Sequence, residues 1–440
     1  MGNTLDSQAL MALALDEARR LGADQAEVAV SEDTGLSATA RLGDVESLEY
    51  TNDRGFGITV FHGSRKGNAS TSDLSEPAIR EAVAKACGFA SRTAEDPYAG
   101  LADADRMCRD IPDLDLDHPW SLDASAAIDL AIECEAAALA TDPRIKNSEG
   151  ATVGSNRGTR SYANTHGFYG HYAKTSHSIS CVVLGEAEGD MQRDYYYSAS
   201  RDADELESPT VIGETAARRA VGRLGAVKPE TRSAPVLFVP ELAKGFVGHA
   251  MSAIAGGAQY RKSTFLLDAL GEAVFPAWLS IDERPHIAKA MASTPYDGEG
   301  VATYDRSVFR DGVLEGYMLS SYSARRLGLE STANAGGAQN LVVSANAEGF
   351  NELLRQMDTG LVVEELIGHG VNAVTGDYSR GAVGHWVEGG EIRYPVHEVT
   401  IAGNLKNLYR SIVAVGKDRD TRGGIRCGSL LVDGMTIAGA

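Results

Sequence analysis

The sequence predicts an α+β fold in two parts. An N-terminal α/β domain with antiparallel strands and long helices is expected over residues 1–228, and a C-terminal β-rich barrel or sandwich domain over residues 229–440. Three observations predict this order. The first half alternates amphipathic helical stretches with strand-like stretches, a segment with prolines and no apolar period follows near 226–234, and many glycine turns come after it. A length of 440 residues suits two domains, or three.

The first half contains four predicted helices and several predicted strands. Apolar residues at helical spacing predict helices at about 5–22, 75–92, 121–141 and 208–224, the last with Pro209 in its first turn. Alternating residues predict strands at 25–31, 35–41, 46–51 and 55–61, with a hairpin turn at 52–55. An Asp-rich loop is expected over 97–119, and further strands over 145–200.

The second half begins with a strand that reads as buried, at 236–239, followed by a helix at about 240–255. Short strands separated by glycine turns then dominate, and this pattern is typical of a barrel or a sandwich. A helix at about 349–357 interrupts them.

Composition excludes several classes of function. A net charge of −20 and a pI near 4.9 disfavour nucleic acid and anionic membrane surfaces as partners. The five cysteines are scattered and include no C-x-x-C pair, which favours free thiols in a reducing compartment. No basic leader opens the chain and no apolar run approaches 18 residues, so we expect a cytoplasmic protein without membrane spans.

No complete catalytic motif is present in the sequence. The zincin motif H-E-x-x-H, the nucleophile elbow G-x-S-x-G and the P-loop are all missing. His166, His171 and His177 lie in predicted strands at spacings that do not suit one metal ion, and ordinary structural roles are expected for them. From motifs alone, the chain is a two-domain protein without a recognisable active site.

Long stretches of the second half carry a resemblance to a known family. They are Gly248–Asp268, Ser320–Gly328, Asp358–Val363, Thr375–Ala382, Ile401–Leu405 and Cys427–Leu431. These stretches resemble the TldE, or PmbA, chains of the TldD/PmbA metallopeptidase family. The similarity is continuous from about 230 to 440. In the N-terminal half it is weaker and rests on the order of elements and on the region 46–57.

The resemblance has a direct consequence for the metal. TldD-type chains carry H-E-x-x-x-H and a distal cysteine, and that window falls here on Lys244, Gly245 and His249, with Cys427 at the cysteine position. Only His249 and Cys427 remain as relics, whereas a catalytic zinc site normally uses three protein ligands and a water. Without a carboxylate at position 245, the base that activates the water is also missing. We therefore expect no catalytic residue, no metal ligand and no cofactor in this chain, and zinc in a TldD-type partner.

The resemblance implies a non-catalytic, zinc-free subunit that pairs with a TldD-type, zinc-bearing chain and degrades or processes small unfolded peptides. The chain alone is expected to be inactive, and it can form a homodimer when isolated. Because a β-rich domain can hold an extended peptide by strand addition, contact with substrate or partner is expected in one polar segment. Its residues are Thr375, Gly376, Asp377, Tyr378, Ser379 and Arg380. A tight turn required by the barrel explains this segment equally well.

Two alternatives stay open at the level of sequence. One is an independent metallopeptidase that binds zinc through unrecognised ligands, drawn from the three strand histidines together with His249 and Cys427. The other is a peptide-binding module without peptidase activity.

Overall fold

The computed structural model describes residues 7–440, so the start of the first predicted helix, at residues 5 and 6, lies outside the described residues. The helices are α1 (Ser7–Arg20), α2 (Glu76–Ala90), α3 (Ala124–Thr141), α4 (Pro209–Gly222), α5 (Pro240–Ala253), α6 (Gly256–Tyr260), α7 (Ser321–Leu327), α8 (Phe350–Met357) and α9 (Leu405–Arg410). Short 3₁₀ turns occur at Ala104–Arg106 and Ala203–Glu205. Among these described helices, none is long and apolar enough to cross a bilayer.

The strands of the first half are β1 (Gln25–Arg41), β2 (Asp44–His62), β3 (Arg65–Thr71), β4 (Ile145–Asn164), β5 (Tyr169–Ala187) and β6 (Asp190–Ser200). Those of the second half are β7 (Arg232–Phe238), β8 (Ile281–Glu283), β9 (Arg306–Arg310), β10 (Val313–Leu314), β11 (Leu341–Val343), β12 (Gly360–Ile367), β13 (Asp377–Glu388), β14 (Glu391–Asn404), β15 (Ile412–Val415), β16 (Ile425–Arg426) and β17 (Leu430–Ala438).

The first six strands form one antiparallel sheet in the order β3-β2-β1-β4-β5-β6. One face of this sheet is covered by helices: α1 and α2 pack on β1, β2 and β3, and α3 and α4 pack on β4, β5 and β6. Apolar side chains that alternate along the strands, such as Val28 and Val30, are buried under the helices. The opposite face is therefore left to face the second half of the chain.

The predicted hairpin turn at 52–55 is wrong. Residues 25–41 form a single strand that pairs with β2 along its whole length, and Asp33 lies opposite Asp53 in mid-strand. The turn is formed instead by Leu42 and Gly43, whose φ angles of 52° and 83° suit a two-residue hairpin. The polar residues that suggested a break lie where the sheet is not covered by helices, so their polarity reflects exposure rather than a turn.

The second half is built around a small closed barrel. Strands β14, β13, β12, β7 and β17 follow one another, and pairing of β14 with β17 closes the ring. Its core is continuous with the side chains of α5 and α9, and Phe246, Tyr378 and Tyr409 are among the largest fully buried residues. A second sheet, in the order β10-β9-β8-β11-β16, lies beside it. This confirms the α+β fold class and a β-rich C-terminal half that contains a barrel.

Most predicted helices are confirmed within a few residues. Asp123 caps α3 by accepting a hydrogen bond from the backbone N–H of Ala126, and Ser208 caps α4 in the same way, with Pro209 in the first turn. The segment between the two halves ends where β7 begins, at Arg232. The division of the chain at residue 228 stays a prediction.

Candidate functional site

Helix α5 carries the sequence window that corresponds to a zinc motif. Pro240 occupies its first turn, and Phe246 packs its ring between Phe238 and Tyr409, at centroid distances of 5.1 and 5.2 Å. These apolar contacts fix one face of the helix on the barrel. The other face turns Lys244 and Gly245 toward a groove.

The groove beside α5 has a volume of about 460 Å³. Its helical wall consists of Lys244, Gly245, Gly248 and Met251, and its opposite wall comes from Ala338, Leu341 and residues 423–425. A Cβ atom added at Gly245 would meet no other atom within 4 Å, so the missing side chain leaves real space. The groove is mostly apolar, and the ammonium group of Lys244 is the charged group on its wall.

Lys244 forms an ion pair with a buried carboxylate. Its Nζ lies 2.7 Å from Oδ2 of Asp420, whose side chain is 1% exposed, while Lys244 itself is one-quarter exposed. Burial alone would lower the pKa of Lys244, but its hydrogen bond to Asp420, the charge of Asp420 and the hydroxyl of Tyr197 together outweigh burial and raise that pKa. Burial would raise the pKa of Asp420, yet hydrogen bonds from Arg422 and Lys244 lower it. Both groups are therefore charged at neutral pH.

The ion pair between Lys244 and Asp420 belongs to a larger network of charged side chains. Arg422 donates from Nε to Oδ1 of Asp420 at 2.9 Å, and its other end lies 3.1 Å from Glu241 in the first turn of α5. Glu241 also accepts a hydrogen bond from Arg219 of α4 at 2.7 Å. The guanidinium of Arg422 lies over the ring of Tyr197, 4.4 Å from its centroid. These contacts join the motif helix to both halves of the molecule.

Asp420 and Arg422 were not predicted from the sequence to belong to this site. The run Asp418-Arg419-Asp420-Thr421-Arg422, in which acidic and basic residues alternate shortly before Cys427, was the available signal. It could not be assigned to Lys244, because 176 residues separate Lys244 from Asp420 along the chain.

His249 and Cys427, the two residues that remain of the zinc motif, are not in a state to bind zinc. Cys427 is completely buried, and burial raises the pKa of its thiol to about 12, so the sulfur keeps its proton at neutral pH. A zinc ligand has to be a thiolate. His249 lies edge-on to Tyr378, with ring centroids 6.0 Å apart, and burial together with the charge of Arg380 lowers its pKa. Neither residue lines the groove beside α5.

The residues present do not fit a zinc ion. Within residues 7–440, no three His, Cys, Asp or Glu side chains come close enough together to hold a metal. The cation of Lys244 lies at the first ligand position of the motif and already occupies Asp420, the carboxylate nearest to it. A metal placed beside an ammonium group would be repelled.

The strand histidines have other bonding partners. His171 Nδ1 shares a hydrogen bond with the hydroxyl of Ser161 at 2.8 Å, and His177 Nδ1 shares one with Ser155 at 3.0 Å. His177 Nε2 also lies 2.8 Å from the carbonyl oxygen of His118, and His166 is exposed in the turn between β4 and β5. The structure does not bring them to α5.

The segment from Thr375 to Arg380 leads into β13 and shows alternating burial. Thr375, Asp377 and Ser379 are exposed, whereas Gly376 and Tyr378 are buried and Arg380 is half-buried. Thr375 donates to Asp377 at 2.6 Å. Asn404 donates to both of these residues, so the turn is rigid. Three of the six candidates thus point outward and can meet another molecule.

An open depression of about 580 Å³ lies beside these outward side chains. It is lined by residues 369–373 together with Asp377 and Ser379. Ile367 and Val374, next to it, leave more than half of their apolar surface exposed. The depression therefore has both polar and apolar surface.

The fold and the groove define a class: an α+β protein with a barrel in its C-terminal half and a helix beside an open groove, in which Lys244 and Gly245 occupy the motif positions. The sequence matches the family models of the PmbA/TldA metallopeptidase domain 1 at residues 26–90, the central domain at 117–224 and the C-terminal domain at 231–439. The chain belongs to the PmbA/TldD metallopeptidase family.

Relatives and solved structures agree with this assignment. The chain is 51% identical to Metalloprotease PmbA of Escherichia coli O157:H7 over 416 residues, covering 94% of this chain and 92% of that protein. It is 48% identical to a Metalloprotease PmbA homolog of Haemophilus influenzae over 430 residues, covering 98% and 95% of the two chains.

Among solved structures, a Bacteroides thetaiotaomicron protein suggested to modulate DNA gyrase is similar, with a TM-score of 0.94 and 28% identity over 99% of this chain and all of that one. TldE from Thermococcus kodakarensis has the same fold, with a TM-score of 0.83 at 19% identity over 98% of this chain and all of that one.

Proposed function

We propose that the chain is the non-catalytic, zinc-free subunit of a cytoplasmic two-chain metallopeptidase of the TldD–TldE type. Its partner is a TldD-type chain that holds the zinc, and the pair acts on small unfolded peptides. The observation that carries the proposal is the ion pair between Lys244 and buried Asp420. This pair puts an ammonium group at the first ligand position of the motif and stabilises it there.

A subunit role gives this arrangement a purpose. A metal holds a motif helix against the rest of its domain by bonding to residues that are distant in sequence. Here the network of charged side chains formed by Asp420, Arg422 and Glu241 connects the motif helix to distant residues without a metal. The helix keeps its place, and the groove beside it stays open although the chemistry is gone.

We place contact with the partner or the substrate at the outward side chains of the segment 375–380. Thr375, Asp377 and Ser379 lie beside the open depression, next to exposed apolar residues. Protein interfaces commonly combine exposed apolar side chains with polar groups, as this surface does.

Reconstitution tests the proposal directly. Cleavage of an unfolded peptide is measured with the TldD-type chain alone, with this chain alone, and with both together, each with and without a chelator. We expect no cleavage by this chain alone, and chelator-sensitive cleavage that increases when both are present. Cleavage that is unchanged by adding this chain, at concentrations where the two chains associate, would refute the subunit role.

A pair of variants tests the contact surface. Ser379→Arg puts a large cation into the depression, and Ala136→Arg puts the same side chain on the exposed face of α3. We expect Ser379→Arg to weaken association or peptide cleavage at least about ten-fold and Ala136→Arg to change neither. Equal behaviour of the two variants would place the contact elsewhere.

A further inference from the structure

A second cleft lies between the two halves of the molecule. It has a volume of about 640 Å³, within the range of ligand sites. Its floor is the face of the first sheet that carries no helices, and its walls are the loops 291–298 and 335–339. No residue of the zinc-motif window lines it.

The walls of this cleft are held in place. Arg201, which is buried, donates to the backbone carbonyl oxygens of Ala290 and Met291 at 3.1 and 2.7 Å. Asp297 accepts a hydrogen bond from the backbone N–H of Ala335 at 3.0 Å, which ties the two wall loops to each other. A site whose walls are fixed beforehand loses less conformational entropy on binding.

The floor is unusually flat. Ala29 and Ser31 of β1, Gly55 and Gly57 of β2 and Ser70 of β3 are neighbours across the sheet, and none has a large side chain. A Cβ atom added at Gly57 would meet nothing within 4 Å. The small residues leave a trough in which an extended chain can lie close to the strands.

Two cations stand at one side of the trough. Arg160 lies opposite Tyr172, and Lys174 lies opposite Gly158, so all four share the face that lines the cleft. Arg160 is paired with Asp33 at 2.9 Å. In the described part of the chain, Lys174 forms no salt bridge with any carboxylate. Lys174 is therefore a cation of the cleft without a carboxylate partner in an ion pair, in a chain whose net charge is −20.

The wall loop 335–339 offers backbone N–H groups as hydrogen-bond donors. Gly336 and Gly337 have φ angles of 100° and 115°, a conformation that favours glycine. Among residues 7–440, the backbone N–H groups of Gly336 and Ala338 find no acceptor. Unpaired N–H groups at the edge of a cleft are available to the carbonyl oxygens of a bound peptide.

We propose that this cleft binds an extended peptide and that Lys174 receives a carboxylate of that peptide. The trough accommodates the backbone, the N–H groups of Gly336 and Ala338 pair with its carbonyl groups, and Tyr172 borders its apolar side chains. The carboxylate is either the free C-terminus or an Asp or Glu side chain. The site belongs to this chain alone, so it stands or falls independently of the subunit role.

Isothermal titration calorimetry on the full chain tests this proposal with three N-acetylated hexapeptides of alternating alanine and valine. The first has a free C-terminal carboxylate, the second a C-terminal amide, and the third an amide with one central glutamate. We expect the first or the third to bind at least about ten-fold more tightly than the second, the worth of one charge-assisted contact. Preference for the first identifies the C-terminus, and preference for the third identifies a side chain.

Matched variants assign the effect to the cleft. Lys174→Met should abolish the preference for a carboxylate, while Lys146→Met, at an exposed position of β4, should retain it. Gly57→Val adds a side chain whose Cβ atom meets nothing within 4 Å, and by filling the trough it should weaken binding of all three peptides at least about ten-fold. Circular dichroism verifies that each variant is folded. The proposal is overturned if the three peptides bind with equal affinity or if none binds at a peptide concentration of about 1 mM. It is also overturned if the two lysine variants behave alike.

Discussion

Replacing Lys244 by methionine removes the ammonium group and keeps a side chain of similar length. In the native chain, Asp420 accepts hydrogen bonds from Lys244 Nζ at 2.7 Å and from Nε and the backbone N–H of Arg422, both at 2.9 Å. The variant leaves Asp420 with Arg422 alone. Because the carboxylate is 1% exposed, water can replace the lost partner only through the opening that Lys244 now fills.

The expected cost follows from these contacts. Truncating one partner of a fully buried ion pair costs about 3–5 kcal/mol, because the other charge is left uncompensated. Arg422 still compensates Asp420 here, and one-quarter of the Lys244 side chain is exposed, so the loss is closer to that of one charged hydrogen bond. Such a bond contributes about 1.5–3 kcal/mol. We expect Lys244→Met to lower the free energy of unfolding by about 2 kcal/mol.

Urea denaturation measures this loss, followed by both circular dichroism and tryptophan fluorescence so that coincidence of the two curves can be checked. Lys406→Met, at an exposed lysine of α9, is the matched control and should cost less than about 0.5 kcal/mol. Combining Lys244→Met with Asp420→Asn should cost clearly less than the sum of the single changes. If Lys244→Met is as mild as the control, or if the two changes are additive, the ion pair does not hold the motif helix.

Four further outcomes are expected. The folded-state pKa of Asp420 is lowered, so its stabilising effect is present above its unfolded pKa and is lost as pH falls through the folded value; in Lys244→Met, acid unfolding should begin at a higher pH. Burial raises the pKa of Asp297 to about 7, so the folded state binds a proton more tightly than the unfolded one, and stability should fall as pH rises from about 4 to 7. Asp297→Asn should flatten this part of a urea stability-versus-pH curve. Cys427 should not react with a thiol reagent at pH 8 until urea is added, because its pKa is about 12; rapid labelling in the native state would contradict its burial. Gly213→Ala should destabilise the chain by at least about 2 kcal/mol, measured by urea denaturation, since its new methyl group would overlap the backbone of α3.

Local signals in the sequence account for the helices. Helix α3 is predicted well because its apolar residues recur at helical spacing and Asp123 is a residue type that caps helices. The strands β1 and β2 are predicted less well, since their polar middle residues lie where no helix covers the sheet, and only the whole fold shows that the strands continue there. A polar stretch between two apolar ones looks like a turn whenever the partner surface is unknown.

The candidate site likewise has a part that the sequence predicts and a part that it does not. The absence of a histidine at position 244 and of a carboxylate at position 245 can be read directly from the sequence, because residue types decide which metal ligands and bases a motif can supply. The partner of Lys244 could not, since Asp420 is brought to it by folding. The cleft proposed to bind a peptide could not be predicted from the sequence either, because Lys174 and Gly336 belong to distant segments that carry no shared motif. Contact between distant segments is set by topology, which short patterns do not encode.

If an ion pair takes the place of the metal on the motif helix, the isolated chain should bind no zinc, and a zinc-binding measurement decides this. The purified chain is dialysed to equilibrium against buffer containing zinc, and metal content is measured by mass spectrometry beside the TldD-type chain treated in parallel. We expect about one zinc for each TldD-type chain, as for an intact three-ligand site, and no stoichiometric zinc in this chain. One tightly bound zinc per molecule of this chain, together with chelator-sensitive cleavage of peptide by it alone, would show that the ion pair has not replaced a metal site.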